Sequence, residues 1–147
     1  RFCVLFGSLL LHKIKYLIPL SENPFTSVVR KTLISTARSC MDHVNATESD
    51  IEYLRNDPPY PKKAACIIEC LLEKIGIIKH KKYSKIGFMT AVTPLVFRHK
   101  KKLEHMKAVS ENCENEVKHD VDVCELGNEV TTCIFKYAPE LHLRTKK

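Results

Sequence analysis

Seven cysteines, at positions 3, 40, 66, 70, 113, 124 and 133, are the residues of this chain with the most chemistry to offer. As nucleophiles or metal ligands they would need neighbours that the sequence does not supply. No nucleophile elbow, no His-Glu-x-x-His and no paired Cys-x-x-Cys occurs, so hydrolase, metalloprotease and zinc-site readings lack their motifs. His119 with Asp120 and Asp122 has the composition of a metal or acid–base cluster. Beside a predicted helix start, such residues read as capping groups and solvated charges. The four glycines (Gly7, Gly76, Gly87 and Gly127) stand far apart, which excludes phosphate-cradling loops that need clustered glycines. No catalytic residue, metal or cofactor is therefore assigned, and the chain does not read as an enzyme. Cross-linking remains. Seven cysteines in 147 residues point to an oxidising compartment, where bridges supplement a modest core.

The elements that must position these cysteines are helices. With 44% hydrophobic and 28% charged residues the chain is globular rather than disordered, and its length suits one domain. An apolar run from Phe2 to Leu11 follows a positive charge and is interrupted by His12, Lys13 and Lys15. It is too short for the ~20 residues of a membrane span and suits the h-region of a secretory signal. Residues 1–23 are accordingly expected to be a signal peptide or N-terminal extension, and residues 24–147 the folded domain. Cys3 would then be absent from the mature domain or unpaired in it.

Val29, Leu33, Ala37, Cys40 and Val44 trace one face of a first helix. Thr47 opens a short second helix as its N-cap, with Asp50 three positions on, and Asp57-Pro58-Pro59-Tyr60-Pro61 stops it. A third helix starts near Pro61 and runs to Gly76. The basic loop His80-Lys81-Lys82-Tyr83 leads to Ser84 and a fourth helix, apolar nearly all round and expected to be buried on most sides. Thr93-Pro94 predicts the restart of a fifth helix, carrying Val96, Leu103, Met106, Val109 and Cys113 inward. A sixth follows Asp120–Asp122 with Val123, Leu126, Val130, Ile134 and Tyr137 on one face, ending before Pro139. With no strand pattern, the fold class is all-α.

A formal charge of +7 favours anionic partners in principle, and its basic residues gather at His80–Lys82 and Arg98–Lys102. No finger, arginine-rich or aromatic-interleaved motif accompanies them, so they read as a solvated basic face and not as a nucleic-acid site.

Helical geometry limits how six of the cysteines pair. Cys66 and Cys70 lie one turn apart on one face, and Cys124 and Cys133, nine residues apart, fall on opposite sides of the predicted sixth helix. Excluding those two pairs leaves ten of fifteen connectivities open. The spacing itself is more specific: intervals of 25, 3, 42, 10 and 8 residues separate the six cysteines from Cys40 to Cys133. With Lys63-Ala64-Ala65-Cys66-Ile67-Ile68-Glu69-Cys70-Leu71-Leu72-Glu73-Lys74 and the closing Tyr137-Ala138-Pro139-Glu140, this pattern resembles the six-cysteine insect odorant-binding proteins over roughly residues 25 to 140. The resemblance implies Cys40–Cys70, Cys66–Cys124 and Cys113–Cys133 bridges in a compact bundle of about six helices around an apolar cavity. It implies secretion, and extracellular carriage of small hydrophobic molecules such as odorants or pheromones, with no stable membrane insertion and a membrane receptor as a candidate further partner. The basic net charge departs from many acidic relatives and bears on ligand type rather than fold.

Such a cavity would draw on Met89, Val92, Val96, Phe97, Leu103 and Met106 from the fourth and fifth helices and on Phe135 from the sixth, since methionines and aromatics adapt to irregular ligands. A ligand burying ~250 Å² at ~25 cal/mol per Å² gains ~6 kcal/mol, an affinity of tens of micromolar. His99 is a candidate pH switch, expected on the apolar face of the fifth helix amid Arg98, Lys100, Lys101 and Lys102. Asn45-Ala46-Thr47 is a candidate glycosylation acceptor at Asn45, with Thr47 also wanted as a helix cap. The competing reading from another class is a secreted, basic helical signalling or venom-type protein that binds a receptor or acidic glycan.

Overall fold

The computed structural model describes residues 24–142. The expected signal segment, Cys3 and the last five residues of the expected domain lie outside the described residues. Six α-helices occur among them: α1 Pro24–His43, α2 Glu48–Glu52, α3 Lys62–Lys74, α4 Lys85–Val96, α5 Lys100–Glu116 and α6 Glu125–Tyr137. Single 3₁₀ turns follow α2 (Tyr53–Arg55) and α6 (Pro139–Leu141). The expectation of an all-helical bundle holds, with one addition in the basic loop. There β1 Ile78–Lys79 and β2 Lys82–Tyr83 pair antiparallel, and His80 and Lys81 turn the chain at positive φ. Alternation explains why a pattern search passes over it, since a two-residue strand has room for only one inward side chain (Ile78 on β1, Tyr83 on β2).

Helix ends follow local chemistry. At α2 the Thr47 backbone N–H donates to the Asp50 carboxylate at 2.8 Å, as the Thr-x-x-Asp spacing predicts. Gly76, at φ +87°, closes α3: its N–H reaches the Glu73 carbonyl at 3.2 Å, and that of Ile77 reaches Leu72 at 2.9 Å. These are the two bonds of a glycine-terminated helix end. Ser84 caps α4 by accepting the Gly87 N–H at 3.0 Å.

Two expectations about α4 and α5 need correction. The helix does not restart at Pro94. It continues through that residue to Val96, and the break falls at residues 97–99. Pro94 offers the Thr90 carbonyl no donor, but both residues are exposed, and the Phe97 N–H still reaches Thr93 at 2.8 Å. Nor is α4 buried on most sides. Phe88, Val92 and Val96 face the core, while Ile86 is 74% exposed. The sixth helix also begins later than expected. Cys124 is its N-cap at φ +71° and Val123, 72% exposed, precedes it, whereas Leu126, Val130 and Ile134 form the buried face.

The main core gathers α3–α6 around Phe88, Met106, Val109 and Val130, each nearly inaccessible. A second, smaller cluster of Ala37, Cys40, Ile67 and Cys70 fastens α1 to α3. All three bridges implied by the resemblance are present: Cys40–Cys70 joins α1 to α3, Cys66–Cys124 joins α3 to the start of α6, and Cys113–Cys133 joins α5 to α6. Buried Asn128 adds a polar clasp, its Oδ1 accepting the Tyr60 N–H at 2.8 Å and its Nδ2 donating to the Tyr60 carbonyl at 3.0 Å. That satisfies the backbone of a buried, proline-flanked residue that no helix can serve.

One titrating group lies between α3 and α6. The Glu69 carboxylate accepts the Gly127 N–H at 3.2 Å, yet burial dominates and holds its pKa above the ordinary 4.5. A raised carboxyl pKa means the folded state binds the proton more tightly. This contribution to stability is therefore complete below the unfolded pKa and is lost as pH rises through the folded one. Glu69→Gln, which keeps an acceptor for Gly127, should remove that component. In chemical denaturation, the variant's advantage over the native chain should grow as pH rises from acid through this window. A constant offset across the window would contradict the assignment.

Candidate functional site

Two concavities stand out among the described residues. The larger, about 660 Å³, is an open groove between α4 and α5, bordered by Ile86, Met89, Thr93 and Pro94 on one side and Lys107, Ser110 and Glu111 on the other. The smaller, about 230 Å³, is more enclosed and lies beneath α1. Its walls are Leu33, Ile34 and Ala37 of α1, Ile51 of α2, Leu54 and Tyr60 of the following segment, Ile68 and Leu71 of α3, Phe135 of α6, and Leu141 with His142 beyond it. We take the smaller as the candidate site. A hydrophobic ligand gains from being surrounded, and an open groove leaves much of it in water.

The sequence explains how this wall forms. Leu33 and Ala37 are four apart on the inward face of α1, and the Cys40–Cys70 bridge, Cα–Cα 5.8 Å, holds that helix against α3. Ile68 and Leu71 of α3 belong to the main cluster, whereas Ile67 of the same helix belongs to the smaller one. The far end is closed by the segment after α6. His142 stacks on Phe135 with ring centroids 4.5 Å apart and planes within 9°. Its Nε2 lies 3.2 Å from the Leu54 carbonyl and its Nδ1 3.4 Å from Asp57, so the 7% exposed imidazole ties the segment after α6 to the turn after α2. The rim carries Arg30, Arg38, Glu52 and Arg55.

The structure distributes the seven residues expected to line a cavity. Phe135 alone among them borders the enclosed pocket, and Met89 borders the open groove. Val92, Val96 and Met106 are buried in the main core, and Leu103 packs against it half-buried. Phe97 is 58% exposed, its ring beneath the Arg98 guanidinium at 5.3 Å. The expectation favoured apolar side chains at the centre of the bundle, whereas the enclosed space is bounded largely by α1 and the segment after α6. Leu33 was legible as an inward residue of the first helix; Leu54, Leu141 and His142 carried no periodic signal.

His99 does not lie on the apolar face of α5. It is the exposed N-cap of that helix, because α4 extends three residues further than predicted before turning. Asn45 is exposed at φ 58° in the turn before α2, and the Thr47 hydroxyl lies 3.1 Å from Asp50. His119 accepts the Tyr83 N–H at 3.1 Å through Nε2, which anchors β2, and the adjacent Asp120 and Asp122 are exposed. No group of three or more His, Cys, Asp or Glu among the described residues is arranged to hold a metal ion. No described helix is long and apolar enough to cross a membrane.

Six helices among the described residues, three bridges in this order and a side pocket closed by the segment after α6 define a disulfide-stapled helical fold. Residues 22–137 match the model of the PBP/GOBP family, and the chain belongs to that family. Among solved structures it is similar to the odorant-binding protein dmelOBP28a from Drosophila melanogaster, with a TM-score of 0.62 and 23% identity, over 78% of this chain and 96% of that one. No curated protein matches the sequence.

Proposed function

We propose that this protein is a secreted, non-catalytic carrier that binds small hydrophobic molecules of the odorant or pheromone kind in the enclosed pocket beneath α1, with delivery to a membrane receptor as its further partner. The observation that carries the reading is an apolar, partly enclosed space of about 230 Å³ in a domain this small. Protein interiors normally close such space by packing, so a retained cavity needs walls fixed by something other than its filling. Disulfides from α1 to α3 and from α3 to α6 supply that fixation for three of the walls. Family membership and the odorant-binding protein of similar fold support the same reading.

A fluorescent hydrophobic probe should bind at one per chain, with an affinity of tens of micromolar on the area argument (~6 kcal/mol), and small apolar competitors should displace it. Phe135→Ala removes an aromatic wall and should weaken binding about tenfold, while Met89→Ala, on the open groove, should change it less than about twofold. The reverse ranking would move the ligand to the α4–α5 side, the region expected to use Met89, Val92, Val96, Phe97, Leu103 and Met106. Absence of displaceable binding would sink the carrier reading. The same assay from about pH 7.5 to about pH 5 in His99→Asn tests the switch suggested there: a flattened profile assigns release to His99, and parallel profiles remove it from the mechanism.

A further inference from the structure

Asn45-Ala46-Thr47 is the one Asn-x-Ser/Thr triplet in the chain, with alanine and not proline at its centre. It lies in the turn from α1 to α2, where Asn45 and Thr47 are both exposed. Asn45 stands at φ 58°, a left-handed conformation that asparagine accepts better than most side chains. Other groups hold the turn. The Val44 N–H reaches Cys40 at 3.0 Å, that of Ala46 reaches Met41 at 2.9 Å, and the Lys63 Nζ donates to the Val44 carbonyl at 3.0 Å. The Asn45 carboxamide takes no part in this and makes no hydrogen bond among the described residues. The fold does not use it, so a bulky substituent there breaks no contact.

We propose that Asn45 is an N-glycosylation site, modified as the chain enters the secretory route. This rests on the reading that the protein is secreted. The donor is a lipid diphosphate-linked oligosaccharide. Asn45 Nδ2 attacks its anomeric carbon, and a C–N bond forms as the C–O bond to the diphosphate breaks. The lipid diphosphate leaves with that electron pair, and one amide proton passes to base. No oxidant or reductant is needed.

Thr47 sets the order of events, because its hydroxyl is the part of the triplet that the transferase recognises. In the folded chain that hydroxyl lies 3.1 Å from Asp50, whose carboxylate also accepts the Thr47 N–H. Modification must therefore precede the cap. The five-residue α2 buries no side chain and is too short to hold a helix alone. Its support comes when Val44, Ala46 and Ile51 pack against the cluster of Ala37, Cys40, Ile67 and Cys70. Cys70 lies 25 positions beyond Asn45, about one to five seconds of synthesis at roughly 5–20 residues per second. Through that interval the triplet is without its cap and open to the transferase.

The test is cell-free translation of the full chain behind a cleavable signal sequence, with and without microsomal membranes. The readout is a mobility shift that an N-glycan amidase reverses. The native chain should shift by one glycan, and the amidase should leave aspartate at position 45 in the peptide map. Asn45→Gly should abolish the shift without straining the turn, since glycine accepts φ 58°. Thr47→Ser keeps both the triplet and the cap and should still shift, whereas Thr47→Ala should not. Asp50→Ala should shift as fully as the native chain. None of these readings requires a variant to fold. An unshifted native chain overturns the proposal and leaves the carrier reading intact, which probe displacement decides separately. A shift that persists in Asn45→Gly also overturns it, because the sugar would then be attached elsewhere. Glycosylation of Asp50→Ala alone overturns it as well, because the cap would then form before the transferase acts.

Discussion

Replacing Cys66 and Cys124 together by alanine should lower the free energy of unfolding by about 4 kcal/mol, the largest loss of any bridge. This bridge closes the longest loop, 58 residues, against 30 for Cys40–Cys70 and 20 for Cys113–Cys133. The entropy withheld from the unfolded chain grows with the logarithm of loop length. A second term acts in the same direction. Cys124 caps α6 at φ +71°, a left-handed conformation that a side chain other than glycine rarely adopts. Without the bond to α3, nothing covalent holds it there, and the start of α6 is free to unwind. Against the total of about 5–15 kcal/mol usual for a domain, the loss is a large fraction. Urea unfolding of the double variant should show the shift, with smaller shifts for the other two pairs. A change below about 1 kcal/mol, or an inverted ranking, would contradict this account.

Gly87→Ala is the second large effect, and it runs against local propensity. Alanine in place of a helical glycine ordinarily stabilises by about 1 kcal/mol. Here a Cβ would stand 1.8 Å from the Gly76 carbonyl oxygen and 2.7 Å from its carbon. Both atoms are backbone, so no rotamer change can relieve the contact. They are also held in place, because Gly76 terminates α3 at φ +87° and Ser84 donates its N–H to Ile77 at 2.7 Å across the base of the hairpin. Relief requires α4 to move away from the end of α3 and the β1–β2 joint to open. The expected cost is about 3 kcal/mol or more, at the upper end for overpacking. Thr90→Ala, on the exposed side of the same helix, should stay within about 0.5 kcal/mol. Thermal or urea denaturation of the two variants measures the difference, and a neutral Gly87→Ala would show that the two backbones are not in contact.

The Asn128 clasp and the Gly76–Gly87 contact share a property that marks the limit of a sequence reading. Each involves residues distant along the chain: Tyr60 and Asn128 are 68 positions apart, and Gly76 and Gly87 lie on separate elements. Nothing periodic or local distinguishes Asn128 from an ordinary exposed asparagine on a helix. By contrast, the Thr47–Asp50 pair is readable because a cap and its partner lie within one turn.

What the sequence by itself determined is the set of features governed by short range and by cysteine spacing. The six helices, the cap at Thr47, the end at Gly76 and the all-α class follow from periodicity and local hydrogen bonding. The three bridges follow from intervals that match a family pattern. What only the tertiary structure decided is where empty space remains. A buried apolar side chain looks the same in sequence whether it faces another side chain or a void, so Val92, Val96 and Met106 could not be told from pocket residues. The enclosed pocket depends on the stance of α1 against α3 and on the segment after α6 folding back, with His142 stacked on Phe135. Pro94 makes the same point at smaller scale. Its ring forbids one hydrogen bond wherever it stands, but whether the helix stops there depends on whether the abandoned carbonyl meets water or protein.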